Sequence, residues 1–211
     1  INRPQVIELT VDKLYTSGVL DQAGLPTPRT IVCEDSNDAM KAFFALGGDV
    51  IVKPLFGSMG RGLVRVEQEE LAYRVFKALD LERAVYYLQE TIPHQGSDIR
   101  AFVVGERVVA AIERFADSWR TNVARGGRVR PIKLTAVQEN LCLKAAQLLE
   151  TNYAGVDLLP TPGGPDYLLE VNSVPGWQGL QSVSKINIAE EIIVYLESVA
   201  RARSARRRQS A

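Results

Sequence analysis

The chain of 211 residues is 46% hydrophobic and 24% charged, the balance of an ordinary globular protein that can bury a core as one domain or two small ones. No apolar run approaches the ~20 residues of a membrane span, and two cysteines, Cys33 and Cys142, with one histidine, His94, give no basis for a zinc site or a thiol–imidazole pair. Charges balance at 25 basic and 25 acidic, yet Arg201, Arg203, Arg206, Arg207 and Arg208 follow Glu197 with no acid among them, which leaves residues 1–200 with 20 bases against 25 acids, a net of −5; a mildly acidic body excludes a general nucleic-acid binder.

Val11 to Ala23 read as a helix, with Thr10 as N-cap and Gly24 as the stop. Leu25-Pro26-Thr27-Pro28 is an extended connector, because a residue before proline is pushed out of the α region. Arg29 to Cys33 is a short strand, and Ser36 to Leu46 a helix opened by Asp35 or Ser36. The β-branched run Val50-Ile51-Val52-Lys53 is a strand that passes into Gly57-Ser58-Met59-Gly60-Arg61-Gly62 and returns as Leu63 to Val66. Such a hairpin can fold over a polyphosphate, since glycine backbone approaches closely and successive N–H groups form an anion nest. The spacing is neither that of a P-loop nor that of a dinucleotide fingerprint, so taken alone it reads equally well as a hairpin without chemistry.

Gln68 to Leu79 is a helix, Val85 to Ile92 a strand, and Ser97 to Val104 with Arg107 to Glu113 a meander through Gly105-Glu106. Within it Asp98 and Arg100 share a face. Arg114 to Arg130 is a basic polar segment with five arginines, Arg114, Arg120, Arg125, Arg128 and Arg130, whose fork-shaped donors suit capture of anions. Thr135 opens a long helix to Glu150, with Gln138 completing a capping box. His94 reads as an exposed turn residue and Trp177 as a packing lid close enough to line a site. Ile188 to Ala202 is the closing helix, and residues 201–211 a solvated, disordered basic tail.

Tyr167-Leu168-Leu169-Glu170-Val171-Asn172 organises the rest. It is a strand on which Glu170 and Asn172, two apart, leave the same face. Asp157 lies in the preceding apolar run, and a hairpin through Pro160 to Pro165 brings the two strands together. Three oxygen ligands then converge, as a hard cation such as Mg²⁺ accepts. A Glu-x-Asn pair by itself is more often a solvated strand face.

The ordered set changes that balance: a helix with Lys13, Val-Lys-Pro before the Gly-Ser-Met-Gly-Arg-Gly loop, Gln-Glu-Thr-Ile, Gly-Ser-Asp-Ile-Arg, Arg-Thr-Asn-Val-Ala-Arg-Gly-Gly, Ala-Gly-Val-Asp-Leu and Leu-Glu-Val-Asn-Ser-Val-Pro-Gly. From Thr10 to Ala200 the chain resembles the ATP-grasp superfamily, and within it the RimK-type ligases that add glutamate to a carboxylate acceptor. The resemblance implies an α+β ATP-grasp fold, two small subdomains with antiparallel sheets, each with helices on one face, clamping ATP. Residues 1–30 would lead into it, 31–92 would form the smaller subdomain with the hairpin, and 93–200 the larger one with the metal site. RimK-type ligases carry a further N-terminal domain, and this chain begins about where their central part begins.

The same resemblance implies the site. Lys13 and Lys53 would contact the ATP phosphates, with Gly57, Ser58, Met59, Gly60 and Gly62 closing over them. Glu90, Thr91 and Ile92 would hold adenine through main-chain groups, Asp98 the ribose, and Arg120, Thr121 and Asn122 the nucleotide end of the site. Asp157, Glu170 and Asn172 would bind two Mg²⁺ ions, with Mn²⁺ able to replace them, and Arg114 and Arg120 would act in catalysis. The implied reaction is carboxylate activation by ATP followed by amine attack, with glutamate and a protein, carrier-protein or pterin-like acceptor as partners. Another ATP-grasp ligase, of D-alanine–D-alanine or glutathione type, or a non-catalytic nucleotide-binding module, are the rival readings. A cytoplasmic enzyme without membrane or nucleic-acid partner is expected, and homo-oligomerisation stays open.

Overall fold

In the computed structural model the described residues are 1–57, 61–116, 121 and 127–209, and their strands form two antiparallel sheets over separate apolar cores. The first sheet has the order β1-β4-β2-β3, from β1 (Thr30–Cys33), β2 (Val50–Lys53), β3 (Val64–Val66) and β4 (Tyr86–Glu90). Helices α3 (Ser36–Ala45) and α4 (Glu69–Leu81) cover one face, where Phe43, Val50, Val66, Phe76, Tyr86 and Leu88 are buried together. The Tyr86 ring meets Phe76 edge-on at 5.8 Å, and its hydroxyl donates to the Phe76 carbonyl at 2.9 Å, so the one polar atom of that ring is satisfied. Because strand side chains alternate, the uncovered face carries Lys53, Tyr87 and Gln89, with Lys53 directly opposite Tyr87 in the register.

The second sheet has the order β7-β6-β5-β8-β9, from β5 (Ser97–Val104), β6 (Arg107–Phe115), β7 (Arg128–Pro131), β8 (Tyr153–Leu159) and β9 (Tyr167–Asn172). Helices pack on both of its faces, not on one as the sequence suggests. Ala101, Val103, Val156 and Leu158 meet Leu141 and Ala145 of α5 (Ala136–Leu148). On the other side Phe102, Val104 and Ile112 meet Leu180 of α6 (Gln178–Gln181) and Ile188 and Ile192 of α7 (Ile188–Gln209). Strand β5 buries Ile99, Ala101 and Val103 on one side and Phe102 and Val104 on the other, as a sandwiched position allows.

Further differences from the sequence reading have local causes. The N-terminal helix is two, α1 (Pro4–Val11) and α2 (Lys13–Gln22). Asp12 between them is extended at φ −82°, ψ 108°, and its carboxylate accepts from the N–H groups of Leu14 and Tyr15 at 2.9 and 3.1 Å. Thr10 is no cap; its hydroxyl lies 2.6 Å from that of Ser173, after β9. Asp12 therefore sets Lys13 as the first residue of α2, and Asp12→Ala is expected to cost about 1 kcal/mol in a denaturant titration. The segment read as a basic loop begins and ends in strands, since Arg114 lies within β6 and Arg128 opens β7, paired through Arg114 and Val129. Thr135 and Gln138 do form a capping box. The last helix runs to Gln209, past the point where a disordered tail was expected, as suits a stretch of alanine and arginine. No helix among the described residues is long and apolar enough to cross a membrane.

Candidate active site between the sheets

A cavity of about 600 Å³ lies between the sheets. The first sheet contributes Lys53, Tyr87 and Gln89, the hairpin Gly57 and Arg61, α2 Lys13 and Ser17, and the second sheet Arg100, Arg114, Glu170 and Asn172. The β8–β9 register sets Asp157 opposite Glu170 and Gly155 opposite Asn172, so the three residues expected as metal ligands share one sheet face. Just beyond, the register shifts between Asp157 and Leu158, which leaves Leu169 without a partner, so that Leu168 packs toward α5 with Val171 although it stands two residues from the cavity-facing Glu170. Gly155 lets Pro175 approach closely here, since an added Cβ would stand 3.0 Å from Pro175 Cβ.

Behind Glu170 lies a buried charge network. Arg100 donates from Nε and Nη2 to the two oxygens of Asp157, each at 2.7 Å. Arg114 donates to Asp98 at 2.6 and 2.7 Å and to Asp157 at 2.9 Å, and the Thr121 hydroxyl donates to Asp98 at 2.6 Å. Arg114, Asp98, Asp157 and Thr121 are all buried, so these are charge-assisted bonds in a low dielectric. Burial opposes ionisation of Asp157, yet Arg100 and Arg114 outweigh it and hold its carboxyl well below the usual range. Burial works against the charge on Arg114 too, and Asp157 and Asp98 reverse it.

Glu170 is the opposite case. No described residue donates a hydrogen bond to its half-buried carboxylate, and burial, with Asp157 alongside, pushes its pKa up. It is an anion in want of a cation. Across the cavity Lys53 donates to Gln89 Oε1, and burial brings its ammonium down to about 8 while Glu170 opposes the shift. Lys13 donates to the carbonyls of Gly57 at 2.8 Å and Leu55 at 3.3 Å, tying α2 to the hairpin; burial lowers its pKa and Glu170 raises it. Asn172 Oδ1 accepts from the Val174 N–H at 2.9 Å, which orients the amide. Among the described residues no three His, Cys, Asp or Glu side chains stand together as metal ligands, so a cation held here would need Asn172 and a ligand's oxygens as well.

Other expected residues are placed elsewhere. Asp98 is spent on Arg114 and Thr121 and does not line the cavity, and neither do Glu90, Thr91 and Ile92. The Glu90 carboxylate accepts from the N–H and Nε of Arg29 at 2.8 and 2.7 Å, while the N–H groups of Glu90 and Thr91 donate to the carbonyls of Arg29 and Asp49. Trp177 packs edge-on against Phe102 at 6.0 Å in the core beneath α7; its neighbours Gly176 and Gln178 line the cavity instead. Ser58, Met59, Gly60, Arg120 and Asn122 lie outside the described residues. Arg100, Tyr87, Gln89 and Arg61 escaped the sequence reading as site residues. Of these, Arg100 could have been found from its shared face with Asp98.

The RimK-like ATP-grasp domain matches residues 10–196. The chain is 41% identical over 209 residues to the tetrahydromethanopterin:alpha-L-glutamate ligase of Methanocaldococcus jannaschii, covering 94% of this chain and 71% of that protein. It is 38% identical over 194 residues to a probable alpha-L-glutamate ligase of Cellvibrio japonicus, covering 90% and 64%. Among solved structures, the D-alanine–D-alanine ligase of Bacillus anthracis superposes with a TM-score of 0.76 at 20% identity, over 97% of this chain and 72% of that one. The ATP-grasp ligase PsnB, solved with its minimal precursor, Mg and ADP, gives 0.74 at 23% identity, over 94% and 61%. Two sheets facing across a cation-edged cavity, with an acidic pair on adjoining strands, thus have both a sequence and a structural counterpart, and the chain belongs to the RimK-like ATP-grasp family of ligases.

Proposed function

We propose that this chain forms the catalytic part of an ATP-dependent carboxylate–amine ligase that adds L-glutamate to a carboxylate acceptor. The observation that carries the reading is Glu170, a half-buried carboxylate without a described hydrogen-bond donor, in a cavity otherwise edged by cations. A hard divalent cation fits that position, because it takes oxygen ligands from one or two carboxylates and completes its shell with phosphate oxygens and water. Glu170 and Asn172, which line the cavity, would hold two Mg²⁺ ions, or Mn²⁺, with Asp157 joining them as a ligand by releasing an oxygen from Arg100 or Arg114, and when bound these ions would neutralise charge on the transferred phosphoryl group. Arg100 and Arg114 keep Asp157 ionised and fixed in direction. Lys13 and Lys53 hold the phosphates, and the hairpin covers them.

The acceptor carboxylate oxygen bonds to the γ-phosphorus as the bond to ADP breaks. The amine nitrogen then bonds to the acyl carbon as phosphate leaves. Neither step needs a protein nucleophile, and the cavity lining holds no cysteine or histidine; its work is to bring repelling anions together. Glutamate is proposed as the amine because relatives at up to 41% identity are named alpha-L-glutamate ligases, and a pterin-type coenzyme is the first acceptor to test. The cytoplasm, which supplies ATP and glutamate, is the proposed compartment. Incubation with ATP, glutamate and candidate acceptors should add one glutamyl unit to the acceptor by mass, with ADP released; ADP release that depends on a different amino acid would overturn the substrate assignment.

Lys53 makes a separate prediction. Lys53→Ala should weaken nucleotide binding by about ten- to a hundredfold, the range of one charge-assisted hydrogen bond. Since the ammonium loses its proton near pH 8, wild-type affinity should hold at neutral pH and fall as pH rises through about 8. Calorimetry at a series of pH values reads this, and Lys53→Arg should remove the decline.

A further inference from the structure

We propose that Arg61 binds the side-chain carboxylate of the incoming amino acid and so selects an acidic one, an inference that rests on the ligase reading above. Among the described residues five cations line the cavity: Lys13, Lys53, Arg61, Arg100 and Arg114. Two of them are already neutralised, Arg100 by Asp157 and Arg114 by Asp98 and Asp157. Lys13 and Lys53 hydrogen-bond to main-chain carbonyls and to Gln89 and stand in the field of Glu170. Arg61 alone among the five makes neither an ion pair nor a hydrogen bond with any described residue, although it is a fork-shaped donor built for carboxylates.

Charge bookkeeping gives the class of ligand. With the two Arg–Asp sets counted as neutral, and Lys13 and Lys53 assigned above to the phosphates, Arg61 is the one cation among the described lining residues left without an anion. The side-chain carboxylate of an acidic amino acid supplies that anion; the amide of glutamine does not. The far end of the cavity, from Asn172 through Val174, Gly176, Gln178 and Gly179, contributes no charge, which suits an acceptor chosen by shape and hydrogen bonding. The cation needed for a second carboxylate is therefore on the hairpin side. There Gly62, next to Arg61, sits at φ +74° and packs close to the end of β2, where an added Cβ would lie 3.2 Å from Pro54 Cγ.

The test is binding rather than turnover. The full chain, saturated with Mg²⁺ and ADP, is titrated calorimetrically with glutamate and with glutamine, for wild type, Arg61→Gln and Arg61→Lys. The expected result is that Arg61→Gln loses about ten- to a hundredfold in glutamate affinity, leaves glutamine binding and ADP affinity within about twofold, and that Arg61→Lys recovers part of the loss. An Arg61→Gln variant that loses ADP affinity by the same factor marks Arg61 as a phosphate contact and overturns the proposal, as does glutamate binding that is unchanged. Arg61 is exposed, so loss of fold does not confuse the result. Wild-type ADP release is measured in parallel. Arg61-dependent glutamate binding without ADP release for any acceptor sinks the ligase reading and leaves the subsite standing; ADP release with Arg61-independent glutamate binding does the reverse.

Discussion

Glu170→Gln is expected to lower ADP release by about three orders of magnitude while leaving the protein at least as stable as wild type. The substitution keeps the shape of the side chain and removes the charge that a divalent cation would meet. Its stability follows from the electrostatics: the carboxylate is half-buried, has Asp157 beside it, and is pushed up in pKa, so its ionised form is unfavourable in the folded protein at neutral pH. A carboxyl whose pKa is raised by folding destabilises the fold above that pKa and less so as pH falls toward it. A neutral amide removes the term, and the denaturation midpoint at neutral pH should stay level or rise. ADP release at the wild-type rate would remove Glu170 from the site altogether. Metal-dependent nucleotide binding, read by calorimetry with and without chelator, should weaken in the same variant.

Arg114→Ala should be the most damaging single change to the fold, with a loss of about 3–5 kcal/mol. It would leave Asp98 and part of Asp157 buried without their guanidinium partner, and an uncompensated buried charge costs far more than the ion pair contributed. The argument concerns desolvation, not the number of bonds, and can be tested on that ground. Arg114→Met combined with Asp98→Leu removes both charges and fills the space, and should lose much less than the single alanine variant. If the double variant is as unstable as the single, the network is held by shape and not by charge. Any activity lost by the double variant would then report what Arg114 does at the cavity, which it also lines.

The elements were legible where local chemistry decides. The β-branched run at Val50–Lys53, the capping box at Thr135 and Gln138, and the strand Tyr167–Asn172 all appear as read, since propensity, capping and alternation act within a few residues. Less legible was Asp12, whose role as a cap depends on a bend between two short helices; Thr10 carries the same kind of side chain, and only packing against Ser173 decides between them. Arg128 read as loop because a basic strand on a sheet edge, as β7 is, has no apolar alternation to show, and Arg114 because the carboxylates that allow its burial come from β5 and β8.

What the sequence determined by itself was the kind of chemistry: Asp157, Glu170 and Asn172 as an oxygen set, Lys13 and Lys53 as cations, and a glycine-rich hairpin between strands. What the tertiary structure alone decided was which of these charges are already spent. Asp98 and Asp157 are bound to Arg114 and Arg100 across a sheet register that links residues 16 to 57 positions apart, and the pairing of Asp157 with Glu170 sets Glu170 on the cavity face. Side-chain identity is local, but the partner of a buried charge is set by strand pairing over long separations, and it is the partner that decides whether a carboxylate is structural or left to meet a ligand.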